Sequence, residues 1–206
     1  MKLNSISNMS FQKTLVAKTK FKKNTSDKKT KECKIYVLDS SYDVDYIREL
    51  KKNKNWKNAN FLNMLNYDLR TSVNPFTCIE TYVMELGKEN ECVACAEVHR
   101  FNNITEVRLL ETAPAYRNEP KTKKKPKVNH IGETFLAFFA KQGQKSEESG
   151  RIELTSVPTA VAFYEDKCGF FSGKYCSVEM YLPQIRYKAL IKQNKKHTGG
   201  KIKLEA

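Results

Sequence analysis

Tyr164 is a phenol, and hence a possible hydrogen-bond donor, in the segment of this chain that has the most informative pattern. It lies in the segment Thr155–Phe170, where Ala160, Phe163 and Tyr164 recur at helical spacing and Gly169 stands where a left-handed residue ends a helix. A phenol with an ordinary pKa of about 10 stays protonated near neutral pH, so it can donate a hydrogen bond. The same spacing also fits an amphipathic helix that buries both aromatic rings, and the segment alone leaves both interpretations open.

Two earlier segments accompany this one. Leu110–Arg117 predicts the end of a strand followed by a Pro-x-Tyr-Arg turn, and Lys127–Leu136 predicts a loop that leads into an apolar helix. In this order the three segments resemble the landmarks of the GNAT N-acetyltransferase superfamily, and the resemblance covers about residues 32–183. It implies a single domain of mixed α/β (α+β) class, with a central, mostly antiparallel, splayed sheet flanked by helices.

The resemblance implies acetyl-CoA as cosubstrate, with its diphosphate at the loop before the helix Ile131–Lys145. Amides in the first turn of a helix lack intrahelical acceptors and lie at the positive end of the dipole, so they can bind a diphosphate. Gly132 would leave them accessible, whereas His130 stands where the family has glycine. The implied cofactor-binding residues are Thr112, Lys127, Val128, Asn129, His130, Ile131, Gly132 and Glu133.

The resemblance also implies direct attack of an amine on the acetyl thioester in a ternary complex, with Tyr164 as the proton donor to the departing thiolate. An amine is mostly protonated at neutral pH, so a carboxylate or a water chain must take its proton. Glu97, Glu106 and Glu111 are candidate bases, and we favour Glu106, although an exposed glutamate on a sheet is more often plain surface. The odd separation of Glu106 and Glu111 predicts opposite faces.

Positive charge is concentrated in three segments of the 206-residue chain, whose formal net charge is +14. Residues 1–31 carry +8, residues 117–130 carry +5 and residues 184–206 carry +6, which leaves −5 for the rest. We interpret 1–31 as a basic, disordered tail that is dispensable for folding, and 118–127 as a lysine-rich loop insert. Residues 184–206 are interpreted as a basic, solvated C-terminal extension of the domain at 32–183.

This charge distribution bears on partners and location. Nucleic-acid-binding folds usually interleave basic and aromatic residues on a structured face, so contact with RNA or ribosomes is the less favoured interpretation here. The second class of function left open is a catalytically silent GNAT-like module that basic tails tether to RNA or another acidic partner. The sequence has neither an apolar run of about 18 residues nor a secretory signal pattern, so we expect a cytoplasmic protein with no membrane span.

The chain contains six cysteines, of which Cys92 and Cys95 form a C-x-x-C pair in a predicted strand. Residues three apart on a regular strand point to opposite faces, which disfavours a shared zinc ion. The other four cysteines have no metal-like spacing. We therefore predict buried thiols and no metal site.

The remaining patterns predict the order of elements. They are strand Lys34–Asp39, helices Asp43–Lys54 and Asn60–Leu69, strands Thr77–Leu86, Cys92–His99 and Ile104–Thr112, helix Ile131–Lys145, strand Arg151–Ser156, helix Pro158–Lys167 and strand Ser177–Leu182.

Overall fold

The computed structural model describes residues 13–22, 30–38, 43–57, 59, 78–117, 128, 130–145 and 150–205. The strands within these ranges are β1 (Lys13–Lys22), β2 (Thr30–Leu38), β3 (Cys78–Leu86), β4 (Glu91–Phe101), β5 (Ile104–Thr112), β6 (Arg151–Thr155), β7 (Phe171–Ser172), β8 (Glu179–Pro183) and β9 (Lys203–Leu204). They form one sheet in the order β7-β8-β6-β5-β4-β3-β2-β1-β9. Every neighbouring pair is antiparallel except β5 and β6, which are parallel.

Helices cover both faces of this sheet. They are α1 (Asp43–Lys52), α2 (Ile131–Lys145) and α3 (Tyr187–Thr198). We name each face of the sheet after the helix that covers it. Tyr82 of β3 lies on the α2 face, where its ring contacts Phe138 and Phe139 edge-on. Glu85 of β3 lies on the α1 face, where it accepts a hydrogen bond from the Tyr46 hydroxyl at 3.0 Å. The predicted class, a mostly antiparallel sheet flanked by helices, is confirmed.

The long helix α2 forms the centre of the core. Residues 134–140 are each at most 1% exposed, and most of them are apolar. A helix that is apolar around most of its circumference must be buried between other elements. α2 therefore packs against the sheet on one side and α3 on another, where Asn194 Nδ2 donates to Thr134 Oγ1 at 2.8 Å. This packing fixes the position of the first turn of α2.

The amino-terminal segment differs from the sequence-based prediction. Lys13–Lys22 is a strand that pairs with both β2 and β9, so a disordered tail over 1–31 is wrong for the part that the structure describes. Ala17, Thr19 and Phe21 alternate inward and are almost fully buried, whereas Lys18 and Lys20 lie on the other side. The lysines raise the net charge of the segment and conceal the regular alternation of buried and outward-facing residues that is typical of a strand.

The carboxyl-terminal segment is also part of the core. α3 buries Tyr187, Leu190, Asn194 and Thr198 at helical intervals, and Gly199 ends it with a φ of 73°. β9 then returns to pair with β1. The predicted solvated extension at 184–206 is therefore wrong from residue 184 to residue 205. Lysines occupy the outward positions of α3, so the net charge of the segment hides an amphipathic helix.

The other predicted elements have mixed outcomes. The remaining strands and the helices that begin at Asp43 and Ile131 are confirmed within a few residues. The predicted helix Pro158–Lys167 is a 3-10 turn at Pro158–Ala160 followed by a π-helix at Phe163–Cys168, and Gly169 ends it at a φ of 74°. The predicted helix Asn60–Leu69 and the insert 118–127 lie outside the described residues. No helix in the described ranges has the length and apolar character that a membrane span requires.

The two C-x-x-C cysteines lie on the same face, contrary to the prediction. Their sulfur atoms are 3.7 Å apart. Both residues are buried as expected, whereas the prediction of buried thiols is wrong for Cys78, which is exposed, and for Cys176, which is half-buried. The reason for the shared face is a β-bulge, because Glu85 pairs with Cys92 whereas Met84 pairs with Ala94, which leaves one extra residue in β4. One extra residue reverses the alternation of side chains beyond it.

Candidate functional site

A gap opens inside the sheet where β5 and β6 stop pairing. Their last paired residues are Val107 and Leu154, although β5 continues to Thr112. β6 ends at Thr155 and leads into residues 158–168, which we call the Tyr164 segment. Strands that separate inside a sheet leave backbone groups that need another partner, so an extended ligand can bind between them.

The first turn of α2 begins with free helix amides. The backbone N–H of Thr134 donates to the His130 carbonyl at 3.0 Å, and the Thr134 hydroxyl donates to the same oxygen at 2.8 Å. The amides of Ile131, Gly132 and Glu133 precede this bond, so they have no acceptor within the helix. Three adjacent amides at a helix start form a site that favours an anion such as a diphosphate.

Gly132 lies between this helix start and the Tyr164 segment. A methyl group at Gly132 would lie 4.0 Å from Phe163 Cζ and would meet no other neighbour within 4 Å. The two motifs that the sequence separates by about thirty positions therefore lie side by side. Within the Tyr164 segment the backbone forms a π-helix, a rare geometry that often occurs at functional sites.

The Tyr164 ring is half-buried against the core. It contacts Phe163 and Phe170 edge-on, with ring centroids 5.2 and 5.8 Å away. Burial, and to a lesser degree Cys168, raises the pKa of Tyr164 to about 12. The phenol is therefore protonated across the physiological range and can act as a donor. Burial, followed by the charge of Glu133, also raises the pKa of the Cys168 thiol.

A second bulge gives the candidate bases an orientation that differs from the predicted one. β5 has one extra residue, Arg108, between its pairs with Glu97 and Val98 of β4. Because the extra residue reverses the alternation, Glu106 and Glu111 lie on the same face of the sheet. The prediction that they point to opposite faces is wrong.

This shared face is the α1 face, opposite α2. Glu111 of β5 pairs with Cys95 of β4, so the two side chains share a face. The Cys95 thiol contacts the Cys92 thiol on that face, and Cys92 pairs with Glu85, which lies beneath α1. Glu97 and His99 also lie on this face and are 3.3 Å apart. Among the acids, Glu111 forms an ion pair with Arg117, so its carboxylate is already engaged. All the candidate bases thus line one side of the sheet.

Glu106 borders an open cavity of about 340 Å³ on this face. Glu153 of β6 pairs with Glu106 in register and lines the same cavity, as do Thr155 and Tyr181. The Glu106 carboxylate is half-buried and lies 3.3 Å from an Arg108 nitrogen. A carboxylate at the rim of a cavity, next to a gap in the sheet, is placed to accept a proton from a molecule bound there.

The structure separates the predicted cofactor residues into three groups. His130, Ile131 and Gly132 lie at the start of α2. Thr112 lies at the end of β5 that pairs with β4 but not with β6, and its carbonyl accepts a hydrogen bond from Arg117. Val128 and the side chain of Glu133 are buried, so only their backbones can face the cofactor. Lys127 and Asn129 lie outside the described residues.

Sequence reasoning missed His197, a side chain of α3 that reaches the same helix start. Its Nδ1 lies 3.0 Å from Glu133 Oε2, and its ring stacks on that of His130 at 4.3 Å. His130 adopts a φ of 66°, a conformation that glycine takes without strain. The helical spacing from Tyr187 to Thr198, ended by Gly199, was the available signal.

Comparison with solved structures identifies the class of fold. A Lactobacillus plantarum protein assigned as an N-acetyltransferase aligns with 74% of this chain and 98% of its own, at 16% identity and a TM-score of 0.51. A tyrosine-to-phenylalanine mutant of the toxin AtaT, bound to the C-terminus of the antitoxin AtaR, aligns with 77% of this chain and 97% of its own, at 11% identity and a TM-score of 0.51. The structure of AtaTR bound with acetyl-CoA aligns with 76% of this chain and 97% of its own, at 12% identity and a TM-score of 0.49.

The chain has the fold of the GNAT superfamily. Neither a family model nor a curated protein matches its sequence.

Proposed function

We propose that this protein is an acetyl-CoA-dependent N-acetyltransferase that transfers an acetyl group to a primary amine by direct attack in a ternary complex. The observation that carries the proposal is that the start of α2 at Gly132 lies beside Phe163 of the Tyr164 segment. This proximity brings a helix start suited to a diphosphate close to the segment that carries a protonated phenol and that follows the gap between β5 and β6.

In this proposal the amides of Ile131, Gly132 and Glu133 bind the diphosphate, because they have no other acceptor in the helix. The pantetheine arm lies in the gap after Val107 and Leu154, where it replaces the missing strand partner. Thr112, Val128 and His130 border this path, and the predicted contacts of Lys127 and Asn129 with the cofactor complete the set.

Tyr164 donates its proton toward the sulfur as the thioester bond breaks. Its raised pKa keeps the proton on the phenol until negative charge develops on the leaving group. Burial raises the proton affinity of the developing thiolate as well as that of the phenolate, so the gain at the acceptor offsets the raised pKa of the donor. The hydrogen bond therefore strengthens during the reaction, which is what catalysis requires.

Glu106 takes the proton of the attacking amine, directly or through water. It lies on the α1 face beside the 340 Å³ cavity, whereas the diphosphate site lies at the start of α2, on the opposite face. The acceptor and the cofactor would thus approach the gap from opposite sides of the sheet. This arrangement is suited to a ternary complex, because neither substrate blocks the entry of the other.

Gly132→Val should weaken acetyl-CoA binding by at least about tenfold, since each lost hydrogen bond to a charged group is worth about 1.5–3 kcal/mol. The Cα–Cβ bond in a helix tilts toward the N-terminus, so the valine methyl groups would cover the free amides. Only Phe163 lies within 4 Å of the new Cβ, so the fold should tolerate the change. Calorimetric titration measures the affinity, and Gly132→Ala serves as the smaller control. Wild-type affinity in a folded Gly132→Val variant would place the diphosphate elsewhere.

Glu106→Gln should lower turnover by about 10²- to 10⁴-fold, the usual contribution of a general base. Raising the pH should restore part of the loss, because a larger fraction of the amine is then already deprotonated. The control is Glu153→Gln, which changes the register partner of Glu106 in the same cavity. An unchanged pH–rate profile in Glu106→Gln would assign the base to another group.

The experiment that tests the proposal measures release of free coenzyme A from acetyl-CoA in the presence of amines. The panel contains polyamines, amino acids and peptides with a free α-amine or lysine side chain, because the acceptor is either a small molecule or a protein. Amine-dependent release with a matching acetylated product would support the enzyme. Tight acetyl-CoA binding without transfer to any amine would favour the silent module, tethered to RNA or another acidic partner by its basic segments.

A further inference from the structure

Glu133 is a buried carboxylate that contacts two stacked imidazole rings. Its side chain is 1% exposed, and its Oε2 atom lies 2.9 Å from His130 Nδ1 and 3.0 Å from His197 Nδ1. The two histidine side chains are about one third exposed, so solvent reaches the group from their side. A buried carboxylate needs a compensating positive charge or strong hydrogen bonds.

We propose that His130, Glu133 and His197 form a zinc-binding site. One ligand atom from each residue lies within 4.8 Å of the other two. Within the described ranges, these residues form the group of three histidine, cysteine or acidic side chains that is close enough to share a metal ion. In a tetrahedral site with bonds of about 2.0–2.2 Å, the ligand atoms lie roughly 3.3–3.6 Å apart. The two Nδ1–Oε2 distances of 2.9 and 3.0 Å need to open by a few tenths of an ångström, and the stacked rings need to turn so that both Nδ1 lone pairs point at the ion.

The ligand types select the metal. Two imidazole nitrogens with one carboxylate oxygen suit zinc and other late first-row metals, whereas magnesium and calcium prefer oxygen ligands. Three protein ligands also leave a fourth position for water, as in zinc sites with a His₂Glu set. The proposed ion would replace the hydrogen bonds to Glu133 with stronger bonds and would neutralise its charge.

The site would connect two distant parts of the chain. His130 and Glu133 lie at the start of α2, and His197 lies in the last turn of α3, more than sixty positions later. A shared ion would fasten α3 to the first turn of α2 and hold His130 in its left-handed conformation. The proposed zinc site shares His130 and Glu133 with the proposed diphosphate site. Zinc binding is measured without acetyl-CoA, so failure of one proposal is distinguishable from failure of the other.

The test titrates zinc chloride, without acetyl-CoA, into full-length protein that has been freed of metal with EDTA. We expect one equivalent to bind and the melting temperature to rise, because an ion that binds the folded state stabilises it. His197→Gln and Glu133→Gln should each lower the affinity by at least about tenfold. His99→Gln is the matched control, since His99 is the third histidine of the chain and pairs with Glu97 on the other face of the sheet.

Cobalt titration separates this site from adventitious binding at cysteines. Cobalt bound by two histidines and one carboxylate gives d–d absorption without the thiolate charge-transfer bands that cysteine ligands add. His130→Gln provides a second variant if His197→Gln does not fold. Absence of zinc binding to the wild-type protein, or binding that both histidine variants retain in full, would overturn the proposal.

Discussion

Tyr164→Phe should lower the turnover of acetyl transfer by about 10²- to 10⁴-fold and leave acetyl-CoA affinity nearly unchanged. The hydroxyl acts only when negative charge builds on sulfur, so its removal affects the transition state and spares the ground state. Phenylalanine keeps the ring, which preserves the edge contacts with Phe163 and Phe170. The measurement is a comparison of kcat with the acetyl-CoA dissociation constant, once an acceptor amine is known.

A buried tyrosine elsewhere provides the control for this variant. Tyr187 in α3 is buried, and burial also raises its pKa to about 12, but its hydroxyl lies 3.4 Å from the Gly150 carbonyl. Tyr187→Phe should alter stability slightly and leave kcat near the wild-type value. If Tyr164→Phe behaves in the same way, Tyr164 is a packing residue and the proton comes from another group.

Phe21→Ala should reduce the free energy of unfolding by about 3–5 kcal/mol, the usual loss for a buried phenylalanine. Phe21 is 1% exposed in β1, which pairs with β2 on one side and β9 on the other. Single domains are stable by only about 5–15 kcal/mol, so the variant should unfold at a markedly lower urea concentration.

The neighbouring residue supplies a control on the opposite side of the same strand. Lys20 is exposed, and Lys20→Ala should change the free energy of unfolding by no more than about 0.5 kcal/mol. A loss of similarly small size in Phe21→Ala would mean that β1 contributes little to the folded state. That outcome would restore the interpretation of residues 1–31 as a dispensable tail.

Local patterns allowed much of the fold to be predicted from sequence. The apolar helix that begins at Ile131, the meander β3–β4–β5 and the stop at Gly169 each have periodicity or turn residues of their own. The sequence conceals β1 and α3, because lysines fill their outward positions and give both segments a high net charge. A pattern of buried positions is better evidence of structure than the charge of the positions between them.

The candidate site was predictable only in part, because two bulges change which side chains meet. The extra residue Arg108 places Glu106 and Glu111 on one face, and the bulge in β4 does the same for Cys92 and Cys95. A bulge depends on how two strands pair, so one strand's sequence does not reveal it. The pairing of Glu133 with His197 likewise depends on how α3 docks on α2.

Acetyl-CoA binding is the central requirement of this account, and thermal melting of the wild-type protein tests it most directly. Binding to the folded state at about a hundred times the dissociation constant stabilises a protein by about 2.7 kcal/mol, so the melting temperature should rise steadily with acetyl-CoA concentration. Inorganic pyrophosphate at the same concentrations controls for attraction of any anion to a chain of net charge +14. An acetyl-CoA shift well above the pyrophosphate shift is the predicted result, and no shift up to about 1 mM, the upper end of typical enzyme KM values, would contradict the account.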